Sequence, residues 1–234
     1  MPGIFITGTD TGVGKTRFAA ALLEGLRARG IRAVGMKPVA AGCERVDGAW
    51  LNEDVALLRT ASGVAAPMDL INPYLLREPT APHIAAAREG RRIELAPIVA
   101  AYRELARLAD WVVVEGVGGF RVPLNAREDT ADLAVALGLP VLLVVGARLG
   151  CLNHALLSAE AIRSRGLPLA GWVANRVDPA MPAYLENRQA LSAALSGPCL
   201  GELPWQPGVG PAETAKDLDI EVVLASAARI KEDQ

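Results

Sequence analysis

Nine consecutive residues, Gly8-Thr9-Asp10-Thr11-Gly12-Val13-Gly14-Lys15-Thr16, combine glycines, a lysine and a hydroxyl in the order that cradles phosphate groups. Glycine lets the backbone bend until successive N–H groups face one anion, and a helix starting there adds partial positive charge. Lys15 would reach the outer phosphates of a nucleotide triphosphate, and the Thr16 hydroxyl would ligate Mg²⁺. Five residues intervene between Gly8 and Gly14, one more than in the plain phosphate-loop pattern. An apolar run precedes the loop and a helical pattern follows it, which is the context the chemistry requires.

A second metal ligand should sit at the end of another strand. Trp111-Val112-Val113-Val114-Glu115 is an apolar strand that ends in a carboxylate, and Gly116-Val117-Gly118-Gly119 after it leaves room for a ligand. Lys37 closes another expected strand just before Pro38, so it would lie at the same edge and neutralise charge on a transferring phosphate. Asp54 opens a helix. Residue chemistry alone leaves it open between pairing with the helix dipole and ligating the metal.

These side chains must be carried by a regular frame. Short runs rich in Val, Ile and Leu predict strands over 3–7, 33–37, 111–115, 140–146, 169–175 and 199–203. They lack polar alternation, as strands covered on both faces do. Helical patterns lie between them over 16–29, 52–61, 95–108, 130–137, 151–165 and 183–195, and Gly30, Gly138 and Gly166 mark helix ends. The alternation predicts an α/β fold: a doubly wound, mostly parallel sheet with helices on both faces, in one domain over 1–234. Residues 67–82, with four prolines, read as an irregular excursion that covers a site. Past Gly208 the pattern gives a loop and a short helix near 222–230.

Composition narrows the class. With 234 residues, 51% hydrophobic and 21% charged, the chain can bury roughly 70% of its unfolded surface without staples. A net charge of −2 gives no general drive toward nucleic acid or anionic lipid. No apolar run approaches the ~20 residues of a membrane helix. Cys43, Cys151 and Cys199 form neither a metal spacing nor a disulfide framework, and no basic-apolar leader precedes the first strand, so a cytoplasmic protein with reduced thiols is expected.

Taken together, the motifs resemble the dethiobiotin synthetase family over nearly the whole chain. The matching strings are GTDTGVGKT at 8–16, KPVAAG at 37–42, Asn52 and Asp54, NPY at 72–74, EPTAPH at 78–83, VEGVGG at 114–119, LGCLNHALL at 149–157, AGWVAN at 170–175 and LGELPW at 200–205. The resemblance implies that ATP, carbon dioxide and 7,8-diaminononanoate react through a carbamate and a carbamic–phosphoric anhydride to give a ureido ring, ADP and phosphate. It implies Lys37, Lys15 and Thr11 near the reacting groups, and Thr16, Asp54 and Glu115 around Mg²⁺. Nucleotide contacts would come from Gly12, Val13, Gly14, Arg17, Gly116 and Gly118, with Asn175, Arg176, Pro204, Trp205 and Gln206 about the base. Ala41, Pro79 and the segment Gly150, Cys151, Leu152 and Asn153 would meet the diamine, the last across the boundary of a homodimer. His83 and His154 read as structural partners instead of bases. Ala41 stands where some relatives carry a hydroxyl residue, and Gly12 and Arg176 where some carry an acid, which bears on substrate and base contacts.

The rival class is a switch-type phosphate-loop ATPase of the partitioning or positioning kind. Such proteins often carry an extra lysine early in the loop, where this chain has Asp10. A cobyrinate-type amide ligase generally carries a further glutamine-hydrolysing domain, for which this chain is too short. A pure nucleotide-binding module would leave Lys37 and the substrate segments unexplained.

Overall fold

The computed structural model describes residues 3–46 and 48–232. In chain order it begins with β1 (Gly3–Gly8), α1 (Lys15–Arg27), β2 (Ala33–Met36), β3 (Val39–Ala41), β4 (Glu44–Val46), β5 (Ala49–Leu51), α2 (Glu53–Ala61), α3 (Met68–Ile71), β6 (Tyr74–Leu76) and α4 (Pro82–Arg88). It continues with α5 (Leu95–Leu108), β7 (Trp111–Gly119), α6 (Thr130–Leu137), β8 (Val141–Gly146), α7 (Cys151–Ser164), β9 (Leu169–Asn175), α8 (Tyr184–Ala194) and β10 (Cys199–Leu203). After β10 come α9 (Pro211–Thr214), a 3₁₀ turn (Ala215–Asp217) and α10 (Ile220–Glu232).

Six strands form one sheet in the order β10-β9-β8-β1-β7-β2, and every neighbouring pair is parallel. Alternate residues of β1 serve the two faces, as the strand period demands. Ile4 and Ile6 pack with Phe18, Leu22, Leu23 and Leu26 of α1, while Phe5 joins Ile98, Tyr102 and Leu105 of α5 on the other side. Every residue of β1 and β8 is buried, which is why these strands read as unbroken apolar runs. The chain winds one way from β1 to β2 and β7 and the other way to β8, β9 and β10. A crevice therefore opens at the carboxyl end of β1, where open α/β sheets bind their ligands.

Local signals set the element ends. The Asp129 carboxylate accepts from the Ala131 and Asp132 N–H groups, and the Asp132 carboxylate accepts from the Asp129 N–H, while Gly138 ends α6 in the left-handed region.

Four expectations need correction. Strand β7 does not end at Glu115 but runs to Gly119, because a bulge after Ile6 lets Gly8 pair with Gly119. Strand β2 stops at Met36; the Lys37 N–H bonds to the Ile71 carbonyl of α3 in place of a sheet neighbour. Residues 67–82 are not irregular throughout. They hold α3, β6 and the first residue of α4, and β6 pairs with β3 in parallel from Val39↔Tyr74 to Ala41↔Leu76. The last helix begins two residues earlier than expected, at Ile220, behind Asp219, whose carboxylate accepts the Val222 N–H.

Candidate active site

The phosphate loop is held from both ends. At its start the Thr9 N–H donates to the Val144 carbonyl at 3.0 Å, and its hydroxyl accepts the Gly146 N–H at 3.2 Å. At its end Gly14, the N-cap of α1, has φ 88°. A Cβ there would come within 2.1 Å of Asn175 Nδ2, so both the dihedral and the close approach require glycine. The Val13 side chain is a buried peg against Gly8 and Gly146, and its carbonyl accepts from Asn175 Nδ2 at 2.8 Å. The loop is thereby locked to the ends of β1, β8 and β9.

Lys15 folds back along the loop and donates to the Asp10 carbonyl at 3.0 Å. Thr16 donates its hydroxyl to Glu115 Oε1 at 2.8 Å, joining α1 to β7. The Lys37 ammonium lies between two carboxylates, bonded to Glu115 and to Asp54 Oδ2, the latter at 2.9 Å. Lys37, Lys15 and Glu115 are all buried, with Glu115 fully so. These residues, with Thr11, Gly12, Gly14, Ala41 and Gly118, line one cavity of about 340 Å³.

Burial and charge move the titrations. Burial first, then the neighbouring Lys37 charge, pulls Lys15 down to about 8, against the opposing pull of Glu115 and Asp54. Burial also works against the charge on Lys37, but Glu115 and Asp54 together outweigh it and raise its pKa. Burial of Asp54 is similarly outweighed by Lys37, and its pKa falls. Lys37 and Asp54 thus favour one another's charged forms.

The donor set fits a hard divalent cation. Glu115 Oε2 is buried with no hydrogen-bond partner, and the carboxylate of Asp54 and the hydroxyl of Thr16 stand on either side of Glu115 through Lys37 and Oε1. All are oxygen donors, the kind Mg²⁺ takes, and it usually completes its shell with phosphate oxygens and water. Among the described residues no group of three or more His, Cys, Asp or Glu side chains could hold a metal by itself.

Two asparagines that residue chemistry had not singled out position these charges. Asn52 caps α2 by accepting the Val55 N–H, and its amide donates to the Gly42 carbonyl at 2.7 Å, so Asp54 is fixed in the first turn. Asn72 donates to the Lys37 carbonyl and fixes the backbone that carries the lysine. Both lie within the matching strings, and an Asn directly before two acids is a recognisable cap.

A second cavity of about 470 Å³ continues from Gly12 past Arg17, Asn175, Arg176, Trp205 and Gln206. Trp205 is half exposed there. The Pro204 carbonyl accepts from Arg17 Nη1 at 2.8 Å. The Arg176 guanidinium lies 4.7 Å from the centroid of the Tyr184 ring and donates to the Pro179 carbonyl.

Other expected residues lie apart. Gly116 sits inside β7, where a Cβ would meet the Phe5 ring at 3.0 Å, so its smallness serves packing. Pro79 packs on Gly42, outside the residues that line the two cavities. Gly150, Cys151, Leu152 and Asn153 open α7 after a left-handed Gly150, and they line neither cavity of this chain. The Cys151 side chain is buried, whereas the preceding Leu149 is 90% exposed. His83 and His154 touch neither cavity.

Comparison with known proteins fits this geometry. Residues 2–213 match the family described as an AAA domain. Solved structures of similar fold include the MinC:MinD cell division complex of Aquifex aeolicus, with TM-score 0.56 and 16% identity over 100% of this chain and 97% of that one. A ParA family ATPase from Chlorobium tepidum TLS has TM-score 0.56 and 13% identity over 96% and 98%. These likenesses concern the fold. In sequence, the chain is 58% identical over 214 residues to the ATP-dependent dethiobiotin synthetase BioD of Aromatoleum aromaticum, covering 92% of this chain and 95% of that protein. A match of that identity and extent is a family relationship, and the chain belongs to the dethiobiotin synthetase family.

Proposed function

We propose that the chain, acting as one domain over residues 1–234, uses ATP to carboxylate 7,8-diaminononanoate with carbon dioxide and close the ureido ring of dethiobiotin. One amine adds to carbon dioxide, losing a proton, to give a carbamate. A carbamate oxygen attacks the γ-phosphorus and ADP leaves. The second amine then attacks the carbamoyl carbon, phosphate leaves with the C–O bond broken, and the second nitrogen gives up its proton.

The observation that carries the reading is the Lys37 ammonium, buried between Asp54 and Glu115 and in the same cavity as Lys15 and Thr11. A cation held there meets both a carbamate and the γ-phosphate, and charge neutralisation with positioning is what phosphoryl transfer needs. Mg²⁺, held by Thr16, Asp54 and Glu115, would supply further neutralisation of the triphosphate. Lys15 and the N–H groups from Gly12 to Thr16 orient the phosphates, with Gly118 leaving space beside Thr11.

The cavity beyond Gly12 suits the base, lined by Asn175, Trp205 and Gln206, with Pro204 just before Trp205 and its carbonyl held by Arg17. Arg176 is turned onto Tyr184, so its part there is confined to shaping the wall. Ala41 would lie against the diamine, with Pro79 behind Gly42. The helix start at Gly150–Asn153 suits the substrate carboxylate. Because it lies outside this chain's own cavities, it would serve a second copy in a homodimer. The whole reading places the protein among small molecules in the cytoplasm, without nucleic acid or membrane; no described helix is long and apolar enough to cross one.

The test is ATP hydrolysis with and without diamine and bicarbonate, with the organic product identified by mass. Hydrolysis that depends on both and yields the cyclic urea is the expected result. Rapid hydrolysis indifferent to the diamine would instead favour a switch ATPase.

A further inference from the structure

The base-side cavity contains a cation that phosphoryl transfer does not employ. Arg17 is the third residue of α1, and its side chain crosses to the ends of β9 and β10. Nη1 donates to the Pro204 carbonyl at 2.8 Å and makes a longer contact, 3.4 Å, with Asn175 Oδ1. Nη2 is shut off from water and has no partner. Burial lowers the guanidinium pKa, with Asp217 as the opposing charge. The orientation of Asn175 is not free. Its amide N–H is committed to the Val13 carbonyl, which can only accept, so Oδ1 must face Arg17.

Asn175 and Arg17 line the cavity suited to a base, Pro204 directly precedes Trp205, which lines it too, and one guanidinium engages both carbonyl oxygens. An exocyclic amine on a purine is recognised by such acceptors, whereas a ring carbonyl is recognised by donors. With Asn175 Oδ1 and the Pro204 carbonyl both held by Nη1, these two acceptors are withdrawn from an exocyclic amine.

We propose that Arg17 is a specificity-determining residue of the nucleotide site: by engaging Asn175 Oδ1 and the Pro204 carbonyl it masks the two acceptors that would otherwise select an exocyclic amine. The site then takes a purine bearing a ring carbonyl about as readily as one bearing an amine. This inference rests on the reading of the second cavity as the base pocket. Its competitor is a purely structural role, in which Arg17 only ties α1 to β10.

Equilibrium binding of ATP and of inosine triphosphate, each with Mg²⁺, separates the two. The triphosphates are identical, so the ratio of the two affinities reports the base edge alone. In the unaltered protein the two affinities should agree within about threefold. Arg17→Met keeps an unbranched side chain and removes the donors, freeing both oxygens for the adenine amine. There ATP should be favoured by roughly tenfold, the worth of one to two hydrogen bonds. Arg17→Lys, which keeps one donor group and cannot bridge both oxygens, should give an intermediate ratio. It also serves as the second variant should Arg17→Met fail to fold. A ratio that stays the same in the variants, or moves toward inosine triphosphate, overturns the proposal, whatever happens to absolute affinity. Ring closure is not needed for this measurement. Loss of diamine-dependent turnover with a shifting ratio would count against the proposed reaction and not against Arg17, whereas absence of nucleotide binding to the unaltered chain would remove both.

Discussion

Two ion pairs brace the phosphate loop and its partners, and they differ in almost everything except charge. On the inside Lys37 meets Glu115, with side chains 5% and 0% exposed; on the rim Arg148 meets Asp10, at 45% and 46%. The inner pair is fixed by a strand on one side and by Asn72 and Ile71 on the other. The rim pair joins two loop residues in open water. A buried ammonium between two carboxylates is costly unless every partner is in place, so its persistence marks a position where charge is required. An exposed pair is worth about 0–1 kcal/mol and needs no such reason. Chemistry belongs to the inner set, while the rim pair only ties Asp10 of the phosphate loop to the turn before α7.

The inner set gives the largest expected effect. Lys37→Met should lower kcat by about a hundredfold to a thousandfold, the usual loss when one donor to a developing charge is removed. ATP affinity should change much less, because Lys15 and the loop N–H groups still hold the phosphates. Steady-state rates alongside ATP binding decide the matter. Equal loss in both would make Lys37 a ground-state nucleotide contact and erase its distinction from the rim.

A middle-sized effect tests how the inner set is positioned. Asn52→Ala removes both the cap of α2 and the tie to Gly42, and should cost about 1 kcal/mol in thermal or denaturant unfolding. If Asp54 serves Mg²⁺, the same variant should raise the Mg²⁺ concentration for half-maximal activity by roughly tenfold, as loss of a residue that orients a ligand does. A stability loss with unchanged Mg²⁺ dependence would show that the capped turn is not what places the carboxylate.

The frame of this site was legible wherever one local rule settled it. Helix α5 is bounded correctly at both ends by its periodicity, and α6 by its helical pattern with Gly138 after it. Strand β9 was equally clear as an unbroken apolar run. The misses share a different cause. β3 and β6 are three residues each and exist because they pair with one another across 67–82, so neither carries its own signal. The β4–β5 pair is exposed on both strands, and exposed strands show no alternation to read. In the site, residue chemistry brought Thr16 and Glu115 together and put Lys37 at the same edge. It could not supply the Arg17 bond to Pro204, which joins residues 187 apart, nor the orphaned Glu115 oxygen, because both depend on how β7, β9 and β10 line up.

The smallest expected effect sharpens the comparison from the other side. Arg148→Ala deletes an ion pair that spans 138 residues of sequence, yet both partners are about half exposed. Screening by water and salt leaves such a pair little net worth, so unfolding free energy should change by less than about 0.5 kcal/mol. Asp10 keeps its carboxylate on the Thr11 N–H at 2.7 Å, and its carbonyl still accepts from Lys15, so the loop retains its own geometry. ATP affinity should therefore stay within about twofold of the unaltered protein. Raising the ionic strength should imitate the substitution in the unaltered protein and have no further effect in the variant. A stability loss beyond about 2 kcal/mol, insensitive to salt, would place Arg148 with the buried charges and dissolve the division between inner site and rim.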